Sequence, residues 1–240
     1  MKTIAVIPAR LASTRLPRKM LREIAGEMLI SRVYGAVRAA SRLADVIVAT
    51  DSDEIMQVCR AQGFHAQMTS SSHRSGTERV HEIAQSVDAD VYLNIQGDEP
   101  LTRPEHIASL MEVMAKPNVE VGTLMTVAGV EDVNNPSAVK VVTDLSGKAL
   151  YFSRATIPHD RDGTKPRYMK HLGFYGYRKA ALEKFCAWPE SALERNERLE
   201  QLRFLEHGIA IYAGETPFDT VGVDTEEDVK RVERILRQNP

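Results

Sequence analysis

The sequence has little cysteine, no long apolar run and almost no net charge. Its 240 residues include only Cys59 and Cys186, far apart in helix-like contexts, so neither a zinc site nor a disulfide framework is predicted. No stretch stays apolar long enough to predict a membrane span. A formal net charge of −2 gives no reason to expect nucleic acid as a partner. The chain also shows no internal repeat, no low-complexity tract and no linker between independent domains.

The composition is that of an ordinary globular protein. With 43% hydrophobic and 27% charged residues, the chain can bury a sizeable core, and we predict a single domain over residues 1–240. The first predicted strand begins at Lys2 or Thr3, which leaves no room for a signal peptide before it. Together with the few cysteines, this predicts a reducing, cytoplasmic compartment and no membrane insertion.

A basic loop follows the first predicted strand. The apolar, β-branched run at residues 4–7 predicts that strand to be buried. Pro8 and Pro17 stiffen the loop behind it, which carries four cations: Arg10, Arg15, Arg18 and Lys19. Ligands of open α/β sheets bind beyond the carboxyl ends of the strands, so the loop predicts an anion site suited to phosphates. The alternative is a solvated basic loop.

Helical and strand patterns alternate through the first half of the chain. The predicted elements are a helix at 28–40, a strand at 45–50, a helix capped by Asp53 that runs to about 61, a short strand at 65–68, a helix at 76–85, a strand at 90–95 and a helix at 105–114. This alternation predicts a sheet that is parallel at its centre and has right-handed crossovers.

The second half is richer in strands. Strands are predicted at 121–127, 139–143, 149–152, 171–177 and 209–212, with a hairpin turn at 144–147 and a rim loop at 158–166. Helices are predicted at 179–187, 191–207 and 225–237. Ser191 and Glu194 form a capping-box pattern at the start of the second of these helices, and Asp224 or Thr225 caps the third.

Two carboxylate positions suggest chemistry. Asp98 and Glu99 follow the strand predicted at 90–95, where carboxylate oxygens suit Mg²⁺, although aspartates at strand ends also cap turns. Asp224 precedes the last helix, where it is either a metal ligand or an ordinary N-cap. The turn at residues 75–77 supplies backbone N–H groups, but by its sequence it cannot be told from a routine capped turn.

Taken together, these segments resemble the CMP-Kdo synthetase family from Lys2 to about Ile235. The resemblance rests on ordered motifs: Ile-Pro-Ala-Arg, Ser-Thr-Arg-Leu-Pro with Lys19, Ser-Gly-Thr-Glu-Arg, Gln-Gly-Asp-Glu-Pro, Ala-Val-Lys-Val-Val, Ala-Leu-Tyr-Phe-Ser-Arg-Ala-Thr-Ile-Pro, His-Leu-Gly-Phe-Tyr-Gly-Tyr, Leu-Glu-Gln-Leu-Arg and Gly-Val-Asp-Thr. It implies a cytidylyltransferase that activates 3-deoxy-D-manno-octulosonate (Kdo) with CTP and Mg²⁺ for lipopolysaccharide biosynthesis. It also implies an α/β, Rossmann-like nucleotidyltransferase fold, with a mixed sheet, helices on both faces and a smaller sugar-binding and dimerisation lobe at about 128–212, in a homodimer.

The resemblance also implies roles for individual residues. It implies that the triphosphate is bound by Arg10, Arg15 and Lys19 and that the metal is bound by Asp98 and Asp224. These five residues form the implied catalytic set. The CTP-binding residues are Pro8, Ala9, Arg10, Arg15, Lys19, Ser75, Gly76, Thr77, Arg79, Gln96 and Asp98. The sugar-binding residues are Arg154, His171, Tyr175, Glu200 and Gln201. By their local sequence alone, His171 is more typical of a structural histidine, and Arg154 could instead pair with a carboxylate of the protein itself.

Two departures from the family pattern stand out. Arg18 occupies a position where the family usually has glycine; in a left-handed conformation a side chain there costs about 1–2 kcal/mol, and we expect Arg18 to be tolerated rather than catalytic. The segment between Arg161 and Lys170 is shorter than in many relatives.

Three alternative functions stay open to different degrees. A cytidylyltransferase for 8-amino-Kdo or a sialic-type acid shares the fold and metal chemistry, and small pocket changes discriminate weakly between such sugars. A non-catalytic nucleotide-binding protein is another alternative. A dinucleotide-dependent oxidoreductase is disfavoured, because no G-x-G-x-x-G motif follows the first strand.

Overall fold

The structure is a computed structural model that describes residues 1–11, 13 and 15–238. It contains two compact units, the first formed by Met1–Ala108 and the chain from Thr220 onward, the second by Ser109–Asp219. The second unit begins earlier than the small lobe predicted at about 128–212. Within the described residues, no helix is both long and apolar enough to cross a membrane.

The elements follow the predicted alternation of helices and strands. In chain order they are β1 (Thr3–Ala9), a 3-10 helix (Lys19–Leu21), β2 (Glu23–Ile24), β3 (Glu27–Met28), α1 (Leu29–Arg38), β4 (Asp45–Thr50), α2 (Asp53–Ala61), β5 (Ala66–Met68), α3 (Gly76–Ser86), β6 (Val91–Asn94), α4 (Pro104–Ala115), β7 (Val121–Val127), α5 (Val130–Val133), β8 (Lys140–Thr143), β9 (Ala149–Ser153), β10 (Met169–Tyr177), α6 (Lys179–Ala187), α7 (Ala192–Glu197), α8 (Gln201–Glu206), β11 (Ile211–Glu215) and α9 (Glu226–Gln238).

The first unit is built on parallel strands in the order β6-β1-β4-β5. All seven residues of β1 are buried, because a central parallel strand is covered on both faces and therefore carries a continuous apolar run. The α/β class with a mostly parallel sheet is thus confirmed. The carboxyl ends of β1 and β6 are neighbours, so the segments that follow them lie at the same edge of the sheet.

One helix cap in this unit differs from the prediction, and the other is one of the two residues predicted. Ser52, not Asp53, caps α2, since its hydroxyl accepts a hydrogen bond from the backbone N–H of Ile55 at 3.4 Å. Asp53 is the first helical residue, where a negative charge is favourable near the helix N-terminus. Thr225 rather than Asp224 caps α9, because Thr225 Oγ1 accepts from the backbone N–H of Asp228 at 3.2 Å. The side chain of Asp224 is therefore not used as the cap.

A two-stranded hairpin formed by β2 and β3 is absent from the prediction. Ala25 and Gly26, its turn residues, both have positive φ, at 50° and 81°. Two consecutive left-handed residues match the twist of antiparallel strands in a tight hairpin. An Ala-Gly pair is a weak signal for such a turn, since alanine rarely adopts that conformation.

The second unit contains strands that pair in both parallel and antiparallel fashion. β7 pairs antiparallel with β10 and parallel with β11, while β8 and β9 form an antiparallel hairpin that joins β10 through a single residue pair. The predicted turn at 144–147 is confirmed, with the carboxylate of Asp144 accepting from the backbone N–H of Ser146 at 2.8 Å. The rim loop at 158–166 has neither helix nor strand, as predicted.

The helix predicted at 191–207 is wrong in one respect, because it is two helices. The capping box of Ser191 and Glu194 begins α7 as expected. Arg198 then adopts a left-handed conformation, with φ 55° and ψ 47°, and ends α7 before α8 begins at Gln201. Helical spacing alone does not reveal this break, since no glycine or proline marks it. The short helix α5 is likewise absent from the prediction.

Arg18 has a left-handed backbone conformation, as expected for a position where the family usually has glycine. Its φ and ψ are 55° and 33°, and its guanidinium pairs with the carboxylate of Glu54, both side chains being largely exposed. An exposed pair of this kind stabilises by about 0–1 kcal/mol. The left-handed backbone costs about 1–2 kcal/mol for a residue with a Cβ.

We predict that Arg18→Gly leaves the free energy of unfolding unchanged or raises it by up to about 1 kcal/mol. Relief of the left-handed strain outweighs the lost ion pair and the greater entropy of glycine in the unfolded chain. Urea denaturation measures the change, and Glu54→Ala, which removes only the ion pair, is the control. A loss of stability for Arg18→Gly that exceeds the loss for Glu54→Ala would contradict the strain at this position.

Candidate active site

A cavity of about 320 Å³ opens in the first unit beyond the ends of β1 and β6. Its walls come from the basic loop, the start of α3, the loop after β6 and the segment before α9. The lining residues are Pro8, Arg10, Ser13, Arg15, Lys19, Met20, Gly76, Gln96, Gly97, Asp98 and Asp224. Eight of these are residues that the sequence resemblance implicates, and they are brought together from four separate segments.

Lys19 lies at the centre of this cavity. Its ammonium Nζ is 2.6 Å from Asp98 Oδ2 and 3.0 Å from Asp224 Oδ1. Burial by itself would lower the pKa of Lys19, but the charges and hydrogen bonds of the two aspartates outweigh it, so the pKa is raised. Lys19 is therefore a permanent cation between two carboxylates.

A close backbone approach places Asp98. The loop after β6 passes over the end of β1 at Gly97, where a Cβ would lie 3.0 Å from both the carbonyl oxygen of Pro8 and Sδ of Met20. Only glycine allows this contact without displacing the backbone. The carbonyl oxygen of Asp98 in turn accepts from the backbone N–H of Val223 at 2.9 Å, which brings Asp224 alongside.

The two arginines of the cavity differ in their partners. Arg15 Nη2 lies 2.8 Å from Asp224 Oδ2, with both side chains substantially exposed. Arg10 carries a buried Nη2 that has no hydrogen-bond partner among the described residues. A buried guanidinium nitrogen without a partner costs free energy, and a negatively charged ligand in the cavity would satisfy it. Arg18 does not line the cavity, consistent with its pairing to Glu54.

The remaining residues predicted to bind CTP lie around or below the cavity. Ser75 caps α3 by accepting from the backbone N–H of Glu78 at 3.2 Å, and Gly76 lines the cavity next to Pro8. Ala9 and Thr77 are buried and are not among the lining residues. Gln96 lines the wall after β6.

Arg79 is fully buried and lies outside the cavity wall. Its Nη2 donates to Asp51 Oδ2 at 2.8 Å, and its Nη1 donates to Thr69 Oγ1. This pairing fixes the side chain of Arg79 in the interior, on the buried face of α3. The sequence contains the partner, since Asp51 follows β4 directly, but only the fold shows that the two side chains meet. The lining residues Ser13, Met20 and Gly97 were also missed, although all three lie within or beside the predicted motifs.

Three of the predicted sugar residues form a group in the second unit. His171 Nε2 is 3.0 Å from Thr123 Oγ1, and the rings of His171 and Tyr175 are 5.4 Å apart. The Thr123 hydroxyl donates to the carbonyl of Phe174 at 2.8 Å, so it accepts from His171, which assigns the imidazole proton to Nε2. Burial raises the pKa of Tyr175 well above its usual range, and the charge of Glu200 adds to this effect.

Gln201 and Arg154 complete the predicted sugar set. Gln201 is buried, and its Nε2 has no hydrogen-bond partner among the described residues. The guanidinium of Arg154 donates to three backbone carbonyls: Glu197 at 2.7 Å, Pro136 at 3.0 Å and Arg198 at 3.4 Å. Arg154 therefore links an earlier segment, at Pro136, to a later one, at residues 197–198. A guanidinium has five N–H donors, and these bonds use three of them. One N–H on Nη1 and one on Nη2 are left over.

Fold and cavity together are those of a nucleotidyltransferase, with clustered cations and paired carboxylates beyond the carboxyl ends of parallel strands. Residues 4–212 match the sequence model of the cytidylyltransferase family. A 3-deoxy-manno-octulosonate cytidylyltransferase of Koribacter versatilis is 66% identical over 98% of this chain and 90% of its own length. One from Acidobacterium capsulatum is 53% identical over 98% of this chain and 97% of its own length.

A solved structure agrees with these relatives. A CMP:2-keto-3-deoxy-manno-octonic acid synthetase complexed with CTP superposes with a TM-score of 0.95 at 40% identity, covering 100% of both chains. The chain belongs to the 3-deoxy-manno-octulosonate cytidylyltransferases, a group within the cytidylyltransferase family. The resemblance stated from the motifs is thereby confirmed.

The half-buried His171 of the second unit gives a test by pH. Burial lowers the pKa of His171 from 6.5 to about 3, so the folded protein keeps it neutral while the unfolded chain takes up a proton below pH 6.5. This stability contribution is present above pH 6.5 and is lost as the pH falls towards 3.

We therefore predict that His171→Gln flattens the dependence of stability on pH. Between pH 6 and pH 5 the unchanged protein should lose about 1 kcal/mol more unfolding free energy than the variant, as measured by urea denaturation. His159→Gln, at an exposed position, is the control and should leave the dependence unaltered. Identical pH dependence in His171→Gln and the unchanged protein would show that His171 is not held neutral.

Proposed function

We propose that this protein activates Kdo by transferring a cytidylyl group from CTP. The C2 hydroxyl oxygen of the sugar attacks the α-phosphorus, a new O–P bond forms, and the bond from the α-phosphorus to the bridging oxygen breaks to release pyrophosphate. The observation that carries the proposal is the gathering of three cations and two carboxylates around one cavity in a member of this family. Phosphoryl-type transfer depends mostly on positioning and on neutralising charge, which these residues can supply.

The cations have distinct parts in this reaction. Arg10, with its buried Nη2, and Arg15 can each grip phosphate oxygens bidentately, whereas Lys19 acts as a compact point charge. Negative charge develops on the equatorial and leaving oxygens during transfer, and fixed cations stabilise it there. No histidine lines the cavity in the described residues, so we assign no side chain as general base, and the hydroxyl proton passes to water.

The donor set fits Mg²⁺. Asp98 and Asp224 offer hard carboxylate oxygens that one Lys19 nitrogen already bridges, so the two lie within reach of a common cation. The described residues contain no group of three or more acidic, histidine or cysteine side chains that could hold a metal alone. Mg²⁺ normally takes one or two carboxylates and completes its shell with water and substrate phosphates. When bound, it would neutralise phosphate charge and lower the pKa of the attacking hydroxyl.

We assign the sugar to Arg154, His171, Tyr175, Glu200 and Gln201. The unpartnered amide nitrogen of Gln201 and the remaining donors of Arg154 support this assignment, since an acid sugar offers a carboxylate and several hydroxyls. We further propose a homodimer, which the resemblance implies, in the cytoplasm, which the few cysteines favour. Light scattering of the purified protein measures the first, and a monomer mass would refute it.

Pyrophosphate release is the direct test of the reaction. The protein should release pyrophosphate with CTP, Mg²⁺ and Kdo, and much less with 8-amino-Kdo, with a sialic acid or with other nucleoside triphosphates. If a sialic acid or 8-amino-Kdo turned over while fresh Kdo did not, the protein would have a different sugar specificity. No release with any acid sugar would identify a non-catalytic nucleotide-binding protein.

We predict that Asp98→Asn and Asp224→Asn each reduce turnover about a hundredfold or more, because an amide is a poor ligand for a divalent cation and loses the negative charge. Initial rates at saturating CTP and Kdo measure the effect, with circular dichroism to establish that the fold is retained. Asp53→Asn, an exposed change in the first turn of α2, is the matched control. A near-normal rate in either cavity variant would leave that aspartate a structural role only.

We also predict that Arg154→Lys raises the KM for Kdo about tenfold and leaves the KM for CTP unchanged. Lysine keeps the charge but cannot hold a carboxylate bidentately while it also bonds three carbonyls. Steady-state kinetics with each substrate varied separately measure the two constants. Equal increases for both substrates, or an unchanged constant for Kdo, would make Arg154 a scaffold residue and would require another partner for the sugar carboxylate.

A further inference from the structure

Asp224 lies on a segment that regular structure does not support. Residues 220–224 belong to no helix or strand, and α9 begins only at Glu226. One backbone hydrogen bond, from the N–H of Val223 to the carbonyl oxygen of Asp98, ties this segment to the loop after β6. Mg²⁺ demands nearly ideal octahedral geometry, so a carboxylate ligand on such a segment needs further support.

A side-chain hydrogen bond supplies a second link between the two segments. Thr220, which is buried, donates its hydroxyl hydrogen to Glu99 Oε2, and Glu99 is the direct neighbour of Asp98. The Glu99 carboxylate also lies over Gly222, where a Cβ would be 3.5 Å from Oε1. These two hydrogen bonds therefore join the segment that carries Asp224 to the loop that carries Asp98.

Glu99 is itself held firmly. Its backbone N–H donates to the carbonyl oxygen of Gln96 at 3.2 Å, and its own carbonyl oxygen accepts from Thr102 Oγ1 at 2.7 Å and from the Thr102 N–H at 3.0 Å. The loop after β6 is thus a fixed support. The segment at 220–224 is held at its end, where the backbone N–H of Asp224 donates to Asp228 Oδ2 at 3.0 Å, and its other support comes from contacts with that loop. The hydrogen bond from Thr220 to Glu99 therefore fixes the segment at 220–224 relative to the loop after β6.

We propose that Thr220 and Glu99 are positioning residues that set the separation of Asp98 and Asp224. The inference rests on the proposed function, in which these aspartates hold the divalent cation. Neither positioning residue needs to touch the metal or the substrates. Partners in the outer shell of a metal site typically change metal affinity by about 10- to 100-fold when they are removed. Loss of this hydrogen bond should accordingly weaken the binding of the cation more than any other interaction in the cavity.

The test is Thr220→Val, which keeps the branched shape and removes only the hydroxyl. Binding of Mn²⁺ in the presence of CTP and without sugar is followed by the electron paramagnetic resonance signal of free Mn²⁺. We expect the dissociation constant for Mn²⁺ to rise about tenfold in Thr220→Val. Thr220→Ser retains a hydroxyl and should restore most of the affinity.

Ser31→Ala is the matched control. Ser31 is a buried residue of α1 that does not line the cavity, and its hydroxyl donates to Gln62 Oε1 at 2.7 Å. Removing this hydroxyl costs one part-buried side-chain hydrogen bond, here to a neutral amide, so it should lower the melting temperature without changing the Mn²⁺ dissociation constant. A purely structural role for Thr220 would give the same result as Ser31→Ala.

Each outcome decides between the inference and the function on which it rests. If Asp98→Asn loses Mn²⁺ binding while Thr220→Val binds with the affinity of the unchanged protein, the positioning role is refuted and the metal site stands. If Asp98→Asn binds Mn²⁺ normally, the proposed metal site itself fails, and the positioning role with it. Should Thr220→Val not fold, Glu99→Ala removes the acceptor from a partly exposed position and should show the same tenfold loss.

Discussion

One ammonium group connects three distant parts of the first unit. Lys19 follows the basic loop, and its two carboxylate partners lie 79 and 205 residues further along the chain. Opposite charges within hydrogen-bond distance stabilise each other most where water is partly excluded, and Lys19 is nearly buried. Without the ammonium, Asp98 and Asp224 would face each other as like charges. The basic loop, the loop after β6 and the segment before α9 therefore depend on this contact for their mutual arrangement.

The same contact supports the proposal that the cavity binds a nucleotide together with a metal. Two carboxylates are balanced by Lys19 and by Arg15, while Arg10 keeps a buried nitrogen without a partner in the described residues. A divalent cation held by both carboxylates would take over their neutralisation and leave Lys19 and Arg15 to the phosphates. A metal-bound triphosphate could thus replace the ion pairs of the cavity, and every buried charge would still have a partner of opposite charge.

Much of the fold could be predicted because burial leaves a direct record in the sequence. The apolar and β-branched residues of β1, β4 and β7 marked their strands to within two residues. Local choices between neighbouring groups were harder: Ser52 rather than Asp53 caps α2, and Arg198 ends a helix whose apolar spacing continues past it. Both depend on backbone conformation at single residues, which residue type constrains only weakly.

The site shows a similar division. Motifs located the cavity residues, but not their partners, since contacts such as Arg79 with Asp51 or Thr220 with Glu99 join side chains that only the tertiary fold brings together. Arg154 illustrates the limit, because its sequence position suggested a ligand for a carboxylate, whereas its guanidinium bonds to three backbone carbonyls. The chemistry of a residue can be predicted from its type; the number of its donors already in use cannot.

The position of the metal tests the proposed function most directly. In crystals grown with CTP and Mn²⁺, we predict an anomalous scattering peak coordinated by carboxylate oxygens of both Asp98 and Asp224, with phosphate oxygens completing the shell and Arg10 Nη2 bonded to the triphosphate. A Mn²⁺ peak bound to CTP alone, or to other side chains, with Lys19 still joining the two aspartates, would contradict it.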